Sequence, residues 1–180
     1  MEKILDLTKR IIKENVTKDD ICVDMTIGNG NDTLTLANYA SFVYGFDIQQ
    51  EAIDNTNKLL KDNNITNYQL FLDSHENIDK YIDKKIKLFI YNLGYLPKGD
   101  KKITTKSSST INSLIKALKM LDNKGIIIIV IYTGHDEGKN EEIAINDYVR
   151  NLDQKMYEVV LYKFINQINN PPYVIMIEKK

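Results

Sequence analysis

Val23-Asp24-Met25-Thr26-Ile27-Gly28-Asn29-Gly30-Asn31-Asp32 runs an apolar segment into a pair of glycines and then into a helical pattern. Glycine lacks a Cβ, so the backbone can turn sharply there and approach a ligand closely. Nineteen residues after Gly28, a second apolar segment, Phe42-Val43-Tyr44-Gly45-Phe46-Asp47, ends on a carboxylate. A strand, a glycine turn, a helix and a second strand closing on an acid is how open α/β sheets hold a nucleoside-bearing ligand. The later acid accepts hydrogen bonds from ribose hydroxyls.

The rest of the chain repeats this alternation. Apolar runs at Ile21–Met25, Phe42–Asp47, Tyr68–Leu72, Ile86–Asn92 and Ile126–Tyr132 are rich in Ile, Val, Phe and Tyr. Strands that are apolar throughout are covered on both faces, which predicts a mainly parallel sheet. Helical spacing marks residues 31–40, 50–63, 75–82, 107–121 and 138–153, and Ile4, Leu5, Leu7, Ile11 and Ile12 predict an amphipathic first helix. Ser107 to Thr110 supply capping hydroxyls, and Gly125 follows the expected end of that helix. Near the end, Tyr157–Ile165 and Tyr173–Glu178 are separated only by a short loop, so they must pair antiparallel. The expected fold is α/β: one domain over 1–180, a doubly wound, seven-stranded, mostly parallel sheet with a C-terminal antiparallel hairpin.

Composition bounds the function. The 180 residues suit one domain, and a net charge of −1 does not advertise a nucleic-acid binder, although a few well-placed cations suffice to hold phosphates. The single cysteine, Cys22, lies inside the first apolar strand and reads as a core residue; it cannot build a disulfide framework. The start lacks a signal-peptide run, and Ile126–Tyr132 is too short to span a bilayer. A soluble cytoplasmic protein is expected, with no membrane partner and no metal.

The ligand class follows from two departures. The dinucleotide fingerprint wants a third glycine where this chain has Thr33. Asp24, just before the glycines, would repel a pyrophosphate but suits a cation. S-adenosylmethionine carries an ammonium and a sulfonium, so Asp24 fits it, directly or through water, with Asp47 on its ribose. Asp73-Ser74-His75 falls either where adenine would be bordered or at a helix cap, since Glu76 follows. A nicotinamide oxidoreductase and a nonenzymatic RNA-binding adaptor are the competing classes.

These residues carry a resemblance. The segment from Val23 to Leu34 resembles the opening of the YtqB-like family of small class I methyltransferases. Tyr44 to Gln49, Asp73-Ser74-His75, Tyr91 to Pro97, Gly99-Asp100-Lys101, Ile103-Thr104-Thr105, Tyr132 to His135 and Asn166 to Pro172 extend it over nearly the whole chain. Lys98 stands where a small residue is expected. The resemblance implies a Rossmann-like fold and methyl transfer from S-adenosylmethionine to tRNA. The implied acceptor is the side-chain amine of 5-aminomethyl-2-thiouridine at the wobble position, in the anticodon region. It implies cofactor contacts from Asp24, Thr26, Gly28, Asn29, Gly30, Asn31, Asp32, Asp47, Gln49, Asp73, Ser74, His75 and Asn92. An rRNA or a small-molecule amine is the alternative acceptor.

Asn92-Leu93-Gly94-Tyr95 resembles the Asn-Pro-Pro-Tyr element of amino-group methyltransferases. An asparagine carboxamide oxygen and a following main-chain carbonyl, here that of Leu93, accept the two N–H bonds of an amine and aim its lone pair. Tyr95 would stack on a base. The competing reading is a plain turn, since Asn, Gly and Pro favour turns. An alkyl amine of pKa ~10 arrives protonated, so a base is wanted, and His135 and Asp100 are the candidates. Lys98, Lys101, Lys102 and Lys106, with Thr104 and Thr105, read as either a solvated loop or a phosphate grip beside Gly94 and Pro97. Lys3, Lys9, Arg10 and Lys13 give the first helix a second basic face. Tyr132, Gln167 and Asn169 complete the expected substrate contacts, and a second copy of the chain would enlarge the RNA footprint.

Overall fold

The computed structural model describes residues 2–93, 107–132, 136–169 and 171–180. Seven strands form one sheet: β1 (Ile21–Asp24), β2 (Phe42–Asp47), β3 (Tyr68–Leu72), β4 (Ile86–Leu93), β5 (Leu121–Ile131), β6 (Tyr157–Tyr162) and β7 (Tyr173–Lys179). Their spatial order is β3-β2-β1-β4-β5-β7-β6, with β7 antiparallel to both β5 and β6 and all other pairs parallel. The doubly wound sheet and its terminal hairpin are those expected. The order reverses between β1 and β4, and the crevice at the carboxyl ends of those strands is where open α/β sheets bind ligands.

Strict alternation along the strands builds two cores. Val23, Phe89, Tyr91, Leu93, Ile127, Ile129 and Ile131 point to one face, under α4 (Ser107–Met120), α5 (Asp136–Arg150) and a 3₁₀ helix (His75–Lys80). Cys22, Leu88, Ile90, Ile126, Ile128 and Val130 point to the other, under α1 (Ile4–Asn15) and α2 (Asn31–Tyr39), with α3 (Gln50–Asp62) beside α2. Cys22 is fully buried, and burial pushes its thiol well above the usual range, as a core cysteine requires.

Several boundaries differ from expectation, among them that of β5, which begins at Leu121 rather than Ile126. Within the stretch 75–82, only His75–Lys80 is helical, a 3₁₀ helix of six residues anchored by the buried His75 and Ile78, with Ile82 buried just beyond it. The helix from 107 stops at Met120, and Gly125 lies inside β5, where a Cβ would stand 2.8 Å from the Asp122 carbonyl. β6 ends at Tyr162, short of Ile165, whose side chain is almost wholly exposed. α5 begins at Asp136 and ends at Arg150, earlier than expected at both ends.

At the end of α2 away from the glycine turn, the orphan carbonyls of Ala37 and Ala40 each accept from Lys18 Nζ (3.3 Å) and Asn67 Nδ2 (3.0 Å). A helix C-terminus carries partial negative charge, so a lysine there is favourable.

Candidate functional site

The glycine turn sits at the carboxyl end of β1. Gly28 (φ +54°) and Gly30 (φ +75°) occupy the left-handed region, which Cβ-bearing residues disfavour. Gly30 is the N-cap of α2, and a Cβ on it would stand 2.5 Å from Thr56 Oγ1. The turn is fixed from the next strand as well, because Gly28 N–H donates to Asp47 Oδ2 (3.0 Å). Asp47 Oδ1 accepts from Gln49 N–H (2.9 Å). Burial pushes the Asp47 carboxyl up, against these N–H bonds. The residue is half-buried, and each carboxylate oxygen has a further lone pair for a donor.

Asp24 plays a different part from the one expected. It has no exposed surface, and its two oxygens accept from Thr26 N–H (3.1 Å) and Thr33 Oγ1–H (2.6 Å). A sealed carboxyl cannot meet a ligand cation directly, so Asp24 acts by bracing the turn against α2. Thr33, noticed in the sequence only as a missing glycine, is the residue that makes this brace. Burial, and then the neighbouring Asp32, push the Asp24 carboxyl upward.

The brace continues to β4. Asn92 N–H donates to Thr26 Oγ1 (2.6 Å), and Asn92 Nδ2 donates to Asp32 Oδ2 in the first turn of α2. Held by main chain and side chain alike, Asn92 leaves its Oδ1 buried with no donor among the described residues. A buried acceptor without a partner costs about 1–3 kcal/mol, and a ligand N–H would relieve it. Asp32 is half-buried, its carboxyl raised by burial and opposed by the Asn92 bond and by Lys9 of α1. Tyr132, just past β5, feels the same carboxylate: burial and the charge of Asp32 raise its phenol.

The other expected residues fall in three groups. Asp73 is committed to the 3₁₀ helix, accepting from Tyr81 OH (2.7 Å), Asn77 Nδ2 (2.9 Å) and Ser74 N–H (2.7 Å); Ser74 caps that helix by accepting from Glu76 N–H (3.3 Å). The N-cap is Ser74 rather than Asp73. The Leu93 side chain is buried in the core, so only its main chain can face a substrate. Tyr162 pairs with Val174 and Ile131 with Tyr173, which puts the exposed loop bearing Gln167 and Asn169 on the same rim as the site. Asn29 lies on the turn after β1, Asn31 is the first residue of α2, and Gln49 is the N-cap of α3. Gly94, Tyr95, Pro97, Asp100, Lys101, Lys102, Thr104, Thr105 and His135 lie outside the described residues. On α1, Lys9, Arg10 and Lys13 line a groove with Thr35, Asn38 and Tyr39 of α2, and Arg10 is paired with Glu2 and Glu14, both at 3.0 Å.

His75, expected to face a cofactor, is 8% exposed; its Nδ1 bonds the Met25 carbonyl (3.1 Å), and Nε2 is buried without a partner among the described residues. Burial pulls its pKa from 6.5 to about 4. Between those values the unfolded chain is protonated at this position and the folded chain is not. The histidine therefore costs the fold stability as pH falls from about 6.5 to about 4, and adds no further loss below that. At 1.36 kcal/mol per unit, the loss is on the order of 3 kcal/mol. The unfolding free energies of wild type and His75→Gln should converge by that amount between pH 7 and pH 4. Parallel curves would remove this account.

The chain is similar to a structure described as a putative rRNA methylase from Clostridium thermocellum (43% identity, TM-score 0.98, 100% of this chain and 99% of that one). It is also similar to a putative methyltransferase from Streptococcus mutans in complex with SAH (38% identity, TM-score 0.95, 100% and 99%). The curated tRNA (mnm(5)s(2)U34)-methyltransferase, chloroplastic, of Arabidopsis thaliana is 28% identical over 99% of this chain and 70% of that protein. The family model described as "Putative rRNA methylase" matches residues 43–178, most of the chain. The chain belongs to that family of methylases.

Proposed function

We propose that this protein transfers a methyl group from S-adenosylmethionine to the aminomethyl nitrogen of 5-aminomethyl-2-thiouridine at the tRNA wobble position. The observation that carries the reading is the Asn92 carboxamide: clamped at both ends, its Oδ1 is a buried acceptor waiting for an N–H donor at the carboxyl edge of β4. The fit to the methyl donor is as good. Asp47 keeps lone pairs for a ribose diol, and the Gly28–Gly30 turn admits a ligand close to the backbone. SAH bound to the Streptococcus mutans relative supports the same donor, and the Arabidopsis relative's name supports the acceptor.

When bound, S-adenosylmethionine supplies an electrophilic methyl carbon on a sulfonium. The chain's own work is orientation. Asn92 Oδ1 takes one N–H of the amine and fixes the direction of its lone pair, and the Thr26 and Asp32 bonds keep that oxygen from swinging away. Lys9 and Lys13, four residues apart and so about 6 Å along α1, offer cations to an RNA backbone beside the site.

Mass spectrometry of tRNA nucleosides from cells lacking the gene tests the reading. Accumulation of 5-aminomethyl-2-thiouridine at the expense of its methylated form is expected. An unchanged tRNA profile with a lost methyl group in rRNA, or in a small amine, would replace the acceptor and leave the donor chemistry standing.

A further inference from the structure

We propose that Asp32 is a catalytic residue that takes the proton from the acceptor's ammonium while Asn92 holds the nitrogen. This role rests on the amine-acceptor reading above. Asp32 stands in the first turn of α2, where its Oδ2 accepts from Asn92 Nδ2. Its Oδ1 accepts no hydrogen bond among the described residues, and the side chain is only half-buried. On the same carboxamide, Asn92 Oδ1 is the acceptor without a partner. Two hydrogen bonds of about 3 Å from neighbouring atoms of one amide bring an amine nitrogen near the carboxylate's free oxygen, directly or through one water.

The charges around Asp32 suit the task. Asp24 on β1 lies behind it, Lys9 of α1 faces it, and the Tyr132 phenol is close enough to feel it. Burial makes the carboxylate more basic than a surface aspartate. Lys9 and the Asn92 amide pull the other way, favouring the charged form. In the step, an N–H bond of the ammonium breaks and its proton goes to the Asp32 carboxylate. The freed pair forms the nitrogen–carbon bond, and the carbon–sulfur pair leaves on sulfur. The product is a secondary ammonium.

The pair Asp32→Asn and Asp32→Ala tests this. Asn at position 32 still offers an oxygen to Asn92 Nδ2 but has neither charge nor basicity; Ala has none of these. SAH affinity is measured by calorimetry. Affinity for RNA carrying the aminomethyl group is compared with that for RNA carrying plain uridine, with SAH present. The rate is followed against pH. For Asp32→Asn, SAH affinity should stay within about threefold, and turnover at neutral pH should fall by about 100-fold, at the lower end of general-base effects. Its rate should climb tenfold per pH unit toward the amine pKa, because the substrate must then arrive deprotonated. Only the amine-bearing RNA should bind more weakly. If SAH affinity collapses with turnover intact, Asp32 holds the methyl donor's ammonium, and the role is overturned. A pH profile parallel to wild type overturns it too. A wild-type enzyme that leaves the amine RNA unmethylated removes the proposed function, and this role with it.

Discussion

Asn92→Ala should lower turnover on an aminomethyl-bearing RNA by roughly three orders of magnitude while SAH affinity changes by no more than about threefold. The size follows from what is removed. A preorganised polar group aimed at the reacting atom contributes about 10²–10³ in rate. Here the same residue also fixes the nitrogen's orientation, so the upper end applies. The split between turnover and affinity follows from position. The Asn92 side chain bonds Asp32 and leaves Oδ1 for a new donor, whereas the turn that would hold the methyl donor is braced by Asp24, Thr33 and Asp47. Asn92→Asp should do no better, because a second carboxylate beside Asp32 Oδ2 would repel it. Single-turnover rates together with SAH calorimetry decide the matter. Equal losses in both, or no loss in either, would show that Asn92 is only part of a turn.

Asp47→Ala should weaken SAH binding by roughly two to three orders of magnitude. Hydrogen bonds to a charged group are worth about 1.5–3 kcal/mol each, and two ribose hydroxyls would be lost together. The substitution also strips the acceptor from Gly28 N–H (3.0 Å) and Gln49 N–H (2.9 Å), loosening the turn that the ligand needs in place. Asp47→Asn keeps an oxygen for one of those amides and should lose less. Thermal melts of the unliganded variants separate this from unfolding: the ligand-induced rise in Tm should disappear from Asp47→Ala, while its unliganded melt stays cooperative. An undiminished rise would place the ribose elsewhere.

The sheet was legible because its central strands are buried on both sides and its terminal pair has no room for a crossover. Ile126 to Ile131 alternate between two cores that are equally apolar, so the run reads as continuous hydrophobicity. The short 3₁₀ helix was less legible, since two isoleucines at helical spacing look the same whether they anchor six residues or twelve. At the site, Asp24, Asp47 and Asn92 stand out by residue type and strand position. What stays hidden in a one-dimensional reading is which oxygen is spent. Asp24 looks available until Thr33 and Thr26 are seen to occupy it, and Asp32 looks like a helix-start acid until Asn92 is seen to lean on it. The signal for Thr33 was present as a hydroxyl in the place of a glycine, nine residues beyond a buried acid.

Lys18 and Asn67 bolt the tail of α2 to the ends of two other segments through the carbonyls of Ala37 and Ala40. A rod pinned at its base cannot slide like a piston. Any adjustment to an arriving guest must be absorbed at its mouth, where Gly28 and Gly30 provide the hinge. The helix thus behaves as a fixed post from which Asp32 reaches over the crevice, and the gap between donor cradle and acceptor notch is set before either is filled.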